Sequence, residues 1–125
     1  HPEVLRLDEY VREIVADLGP HLMKEEQILF PAIKQMDLSL EEFHCGSIQN
    51  PIQVMKIDHD NIGNIFLKIR ELTKDFNLPK DACNTWRALH KGLEDLEKDT
   101  HLHIHKENNV LFPMVVEAEQ NFKNY

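Results

Sequence analysis

The sequence predicts an all-α fold, an up-and-down bundle of long helices. Three observations predict it. Apolar residues recur in alternating steps of four and three along three segments, the period of a helix that buries one stripe. No run of Val, Ile and Thr alternates with polar residues, as a half-buried strand would. The interruptions are few: a loop composition over 37–50 and the break Asn77-Leu78-Pro79.

The first helix is expected from about Leu7 to Met36, with its stripe at Leu7, Val11, Ile14, Leu18, His21, Glu25 and Ile28. Gly19-Pro20 lies inside it, and a proline there removes a backbone bond and predicts a kink just before His21. The second helix is expected from about Pro51 to Phe76. Asn50 reads as its N-cap, Pro51 as its first residue and Gln53 as the capping-box partner. Its stripe is Met55, His59, Ile62, Phe66 and Ile69. The third runs from about Lys80 to Glu119, with Leu89, Leu93, Leu96, Thr100, His103, Glu107 and Val110 on its stripe.

Composition narrows the function. Fourteen basic and 22 acidic residues among 125 give a net charge of −8, which argues against a nucleic-acid or anionic-membrane surface. No apolar run approaches the ~18 residues of a membrane span. Chains of this length bury roughly 70% of their unfolded surface, enough for one domain with a core. Cys45 and Cys83 form no spaced framework, so a reducing cytoplasm is the expected compartment. No signal-peptide pattern is visible, and a chain that begins with His1 instead of Met is expected to have lost its natural start. The eight histidines are about three times the ordinary usage of roughly 2%.

Histidine interrupts all three stripes, and glutamate follows one turn later in two of them. A glutamate on an apolar seam is costly unless it is paired or bound to a cation. Spacing of four sets His and Glu side by side on one helical face, and imidazole with carboxylate suits iron, manganese or zinc. Helical rise places His21, His59 and His103 within roughly 12–23 Å of the bundle end that carries the 37–50 loop, so one site can hold all three. An internal repeat adds to this. His21-Leu-Met-Lys-Glu25-Glu-Gln-Ile-Leu-Phe30-Pro31 matches His103-Ile-His-Lys-Glu107-Asn-Asn-Val-Leu-Phe112-Pro113 at a constant offset of 82. Two copies of H-x-x-K-E-x-x-[IV]-L-F-P point to pseudo-twofold ligation of two metals, with Glu25 and Glu107 able to bridge. The competing explanation is a set of core histidines satisfied by buried glutamates, which must hold twice over and again at His59.

The other five histidines are read the opposite way. His101 and His105 lie roughly 200° round the helix from His103 and face solvent. His90 is structural or on the surface, and His1 is too far along the helix to join the site. His44, beside Cys45 in the loop, is left open as a ligand or gate. Met23 and Met55 are read as packing, Glu41-Glu42 and Glu94-Asp95 as solvated, and Trp86 as a core or interface anchor.

On these blocks, together with Asn50-Pro-Ile-Gln-Val-Met, His59-Asp60 and Ala82-Cys-Asn-Thr-Trp86-Arg-Ala-Leu, the chain resembles the hemerythrin-like domain of the iron–sulfur cluster repair (repair of iron centres) family. The resemblance covers nearly all of the chain. It implies a non-haem di-iron centre bridged by Glu25 and Glu107, with His21, His59 and His103 as terminal ligands and manganese or zinc as substitutes. It implies a role in recovering iron–sulfur proteins after nitrosative or oxidative stress, by iron donation or nitric oxide chemistry rather than conventional turnover. The partners implied are damaged or apo iron–sulfur proteins, nitric oxide and dioxygen. A sensor of oxygen, nitric oxide or redox state, sharing the ligands but keeping its iron, is the alternative.

The family bundle has four helices, the first of which brings two further histidines, and a small cysteine-containing N-terminal domain. The expectation for 1–125 is a partial domain lacking that first helix, with five ligands of seven and part of its seam exposed. Three outcomes follow: a helix outside this chain, a homodimer whose second copy supplies the missing wall, or a chain that binds one metal or none. Self-association is the favoured one.

Overall fold

The computed structural model describes residues 2–39 and 47–123, and among these there are three long helices and no strand. Helix α1 covers residues 2–39. It is α-helical over Pro2–Lys24, passes through a π turn at Glu25–Leu29 and resumes as Phe30–Ser39. Helix α2 is Gln49–Thr73. Helix α3 covers residues 84–123, with Asn84–Lys106, a second π turn at Glu107–Leu111 and Phe112–Lys123. The three helices expected from the apolar pattern are those observed. His1, Glu41, Glu42, His44 and Cys45 lie outside the described residues.

Two apolar clusters hold the helices together. Leu7 and Ile14 of α1 pack with Ile62, Ile65, Phe66 and Ile69 of α2, with Phe76 and with Leu93 of α3. At the other end Leu29 and Ala32 meet Ile48, Ile52, Met55, Phe112 and Val115. Early residues of α1 therefore meet late residues of α2, the antiparallel arrangement that short connections favour. All five stripe residues of α2 are buried. Between the two clusters lies a layer of buried polar side chains, described below.

The π turns correct the outer ends of the other two stripes. Ile28 and Val110, expected on the seam, are 55% and 52% exposed, whereas Leu29 is fully buried. In each turn a backbone bond spans five residues: Phe30 N–H reaches the Glu25 carbonyl, and Phe112 N–H the Glu107 carbonyl. The extra residue per turn shifts the inward face by one position, which a stripe drawn at constant period misses. Leu89 is also partly exposed, so the α3 seam opens to one side. Helix α1 runs unbroken through Gly19-Pro20, and its departure from α geometry comes five residues later.

The start of α2 also differs from expectation. Asn50 is not the cap; the helix begins at Gln49 and no side chain of the N-cap residue Ile48 serves it. The buried Glu119 carboxylate of α3 accepts instead from Ile48 N–H at 2.7 Å and from Ser47 Oγ at 2.6 Å, while Ser47 Oγ accepts from Gln49 N–H at 3.0 Å. A carboxylate at a helix N-terminus satisfies donors that the helix leaves open. At the far end of α2, Lys74, Asp75 and Phe76 all have positive φ. Arg70 braces that turn: its Nε donates to both oxygens of buried Glu97 at 2.8 Å, and its guanidinium lies 5.0 Å over the Phe76 ring. At the start of α3, Cys83 Sγ accepts from Trp86 N–H.

The π turn makes a contrast between neighbours testable. Leu29→Ala should destabilise the chain by about 2–5 kcal/mol, the range for a buried leucine. Ile28→Ala should cost about 0.5 kcal/mol or less. Urea unfolding of both variants checks this, and equal losses would contradict the shifted face.

Candidate metal centre

The polar layer is assembled from all three helices. His21 and Glu25 come from consecutive turns of α1, His59 from α2 and Glu107 from α3, and all four are buried. Each offers one nitrogen or oxygen, and these atoms lie within 4.8 Å of one another. His21 Nε2 is 2.8 Å from Glu25 Oε1 and 3.1 Å from His59 Nε2. His59 Nε2 is 3.8 Å from both Glu25 Oε1 and Glu107 Oε1. His103 reaches the same cluster from its open side. Its Nε2 lies 3.2 Å from Glu25 Oε2 and in direct contact with Glu107 Oε1, while its side chain is 46% exposed. All five residues singled out by the sequence thus meet, with His103 at the rim of the buried four.

The outward edges of two imidazoles are held. His21 Nδ1 faces Asp58 Oδ2 at 3.2 Å, and Lys24 Nζ donates to the same oxygen at 3.1 Å. His59 Nδ1 faces Asn108 Oδ1 at 2.9 Å. A carboxylate acceptor, and an amide oxygen, each favour a proton on Nδ1 and leave a lone pair on Nε2. The two Nε2 atoms, turned into the layer, approach each other at 3.1 Å. Beside them, Glu25 Oε1 and both carboxylate oxygens of Glu107 are buried without a hydrogen-bond donor. Buried acceptors normally find a donor, so this converging set fits a cation. The donor types, nitrogen and carboxylate oxygen, are those of iron, manganese or zinc.

Without a cation, protons take its place. Burial and the neighbouring Glu25 carboxylate push Glu107 up to about 9. Burial acts the same way on Glu25 but is outweighed by His21, His59 and the Glu107 carboxyl, which hold it well below the usual carboxylate range. Burial would lower His21, yet Glu25 and Asp58 raise it above its ordinary value. The carboxylate pair shares one proton because two adjacent buried charges of like sign repel.

A cleft of about 200 Å³ opens beside the cluster between α1 and α3. Leu18, Leu22, Ile62, Leu96 and Ile104 line it, and His21, His59 and His103 form its polar end. It is wide enough for a small neutral molecule.

The remaining histidines stay apart. His90 is buried but far from the cluster, accepting from Trp86 Nε1 at 3.0 Å through Nε2 and facing the Phe76 carbonyl through Nδ1. His101 and His105 are exposed, His101 with its ring edge-on to Phe66. Met55 packs in the core as expected, whereas Met23 is 55% exposed. Sequence reasoning missed Asp58, Asn108 and Lys24. Their signal was adjacency: Asp58 precedes a candidate ligand, Asn108 follows one, and Lys24 is part of the repeated motif.

Fold and site together define a helical-bundle protein of the cation-binding kind, with histidine and glutamate converging from its helices. The hemerythrin HHE cation-binding domain model matches residues 1–115, and the chain belongs to that family. It is 42% identical over 106 residues to a "Probable iron-sulfur cluster repair protein" of Haemophilus influenzae, covering 85% of this chain and 44% of that protein. It is 40% identical over 119 residues to the iron-sulfur cluster repair protein YtfE of Salmonella typhimurium, covering 94% of this chain and 51% of the relative. The match to YtfE of Escherichia coli O1:K1 / APEC is 40% over 114 residues, 90% of this chain and 48% of the relative. The chain thus spans about half the length of the relatives it matches. No helix among the described residues is long and apolar enough to cross a membrane.

The titrations predict a pH dependence for the metal-free chain. A group raised from its ordinary 4.5 to about 9 on folding contributes stability that is full below 4.5 and is lost as pH climbs to about 9. Glu25, lowered on folding, contributes stability that is present above 4.5 and lost only in more acid solution. Metal-free protein should therefore lose stability between pH 4.5 and about 9, and Glu107→Gln, neutral throughout, should flatten that loss. Thermal unfolding across this range checks it; an unchanged slope in the variant would contradict the shared proton.

Proposed function

We propose that the chain is the metal-binding portion of an iron–sulfur cluster repair protein. In this reading it holds a non-haem di-iron centre, with Glu25 and Glu107 bridging and His21, His59 and His103 as terminal ligands. The single observation that carries it is the convergence of three donorless carboxylate oxygens with inward-facing imidazole nitrogens in one buried layer. The names of the relatives, iron-sulfur cluster repair proteins, support iron as the metal and damaged or apo iron–sulfur proteins as clients. Iron held there would supply a redox-active metal with positions open to a small diatomic, and a store that can be passed on.

The chain's own residues divide the task. Glu25 and Glu107 supply the negative charge that a cation neutralises, and Glu107 takes up a proton when it leaves. His21 and His59 supply neutral nitrogen from fixed rings. His103, at the mouth of the apolar cleft, faces whatever enters or leaves on that side. The cleft suits nitric oxide or dioxygen by size and polarity. The net charge of −8 disfavours nucleic acid and anionic membrane as partners, and a cytoplasmic location belongs to the same proposal.

The open face between α1 and α3 bears on assembly. Leu22, on the rim of the cleft, is 40% exposed, and the His103 side chain across it is 46% exposed, so apolar surface stays open on that side. We assign that face to a homodimer, in which a second copy packs alongside the cleft. Molar mass in solution tests this directly: a dimer is expected, and a monomer at all concentrations would contradict it.

Two measurements test the centre and its use. Anaerobic loading with ferrous iron should give bound iron in the parent chain and a loss of most of it in Glu25→Ala and Glu107→Ala; iron content unchanged in both would contradict bridging. On mixing with an apo iron–sulfur protein, a donor loses iron to it. Retention of iron together with a stable nitric oxide adduct would favour the sensor reading instead.

A further inference from the structure

We propose that Asp58 and Asn108 are positioning residues that hold His21 and His59 in the one tautomer able to offer Nε2 to a metal. The inference rests on the metal reading above and goes beyond it by assigning work to two residues outside the ligand set. Neither side chain points into the cluster. Each stands behind an imidazole on the far side from the carboxylates, Asp58 Oδ2 at 3.2 Å from His21 Nδ1 and Asn108 Oδ1 at 2.9 Å from His59 Nδ1.

The braces run between helices in a directed order. The α1 histidine is held by an α2 carboxylate, and the α2 histidine by an α3 amide that follows Glu107 inside the π turn. Each imidazole is thus fixed by a helix other than its own. A neutral imidazole has one proton for two nitrogens, and an acceptor facing Nδ1 decides which nitrogen keeps it. Without these acceptors, the inward nitrogens have the cheaper course of keeping the proton and donating to Glu25 or Glu107, which closes the site to a cation. Such outward hydrogen bonds fix ring orientation and raise ligand basicity.

The two braces are chemically unequal. Asp58 is an acid tied down by Lys24 at 3.1 Å, which fixes its position. Asn108 is neutral and offers an acceptor without charge.

Nitrogen-15 shifts of the histidine rings, recorded on the metal-free 125-residue chain in alkaline solution, read the tautomers directly. The parent should show His21 and His59 with the proton on Nδ1; the opposite tautomer in the parent would overturn the inference. Asp58→Ala and Asn108→Ala should each mix the tautomer of the facing histidine only. They should weaken cobalt(II) binding by about 10–100-fold and move its visible ligand-field bands. Asp58→Asn and Asn108→Asp, which keep an acceptor oxygen, should recover most of the loss. Alanine variants with parental tautomers, affinity and bands would overturn the positioning role and leave the metal reading standing. A parent that binds neither cobalt(II) nor iron would overturn both.

Discussion

The constraint on which the rest of this structure depends is the burial of two carboxylates and two imidazoles in one layer, with little water to solvate them. Taking an ionised carboxyl out of water costs several kcal/mol unless a cation or donors compensate. Here donors are missing at three oxygens, so the layer costs stability unless something positive fills it. Protons do so partially, one shared between Glu25 and Glu107 and another favoured on His21. A metal does so more completely, and its binding is then coupled to proton release and to the stability of the fold.

Much of the surrounding architecture follows from keeping that layer in place. Apolar clusters above and below it, centred on Phe66 and on Leu29 with Phe112, exclude water and set the spacing of the helices. A π turn begins at each glutamate, in matching positions of the repeat. Such a widened turn is rare in helices and is found mostly at functional sites. The ends of α2 are secured independently, by Glu119 at one and by Arg70 with Glu97 at the other. Those two buried acids are satisfied by donors, which separates them from Glu25 and Glu107.

Much of this was legible in the sequence, and the rest was not for physical reasons. His21, Glu25, His59 and Glu107 stood out because a polar residue on an apolar seam has few explanations, and the repeat contains three of them, His21, Glu25 and Glu107. His103 was placed on the same seam, but exposure depends on what covers α3, which no stripe encodes. Ile28 and Val110 were misplaced because a periodic pattern assumes constant pitch, and the π turn changes it by one residue. Glu119 as the cap of α2 was hidden because its partners lie 71 and 72 positions away. Glu97 lies close to the acidic pair Glu94-Asp95, and its partner Arg70 is 27 positions away. Asp58 and Asn108 carry little signal because each flanks one candidate ligand in sequence while facing another on a neighbouring helix.

The central claim is that metal sits among these particular side chains, and its location is the most direct test. Crystals of the iron-loaded chain should give anomalous scattering at the iron edge between the Glu25 and Glu107 carboxylates, within bonding distance of the Nε2 atoms of His21 and His59. Iron bound elsewhere on the chain, or none in this layer under reducing, iron-replete conditions, would contradict the account.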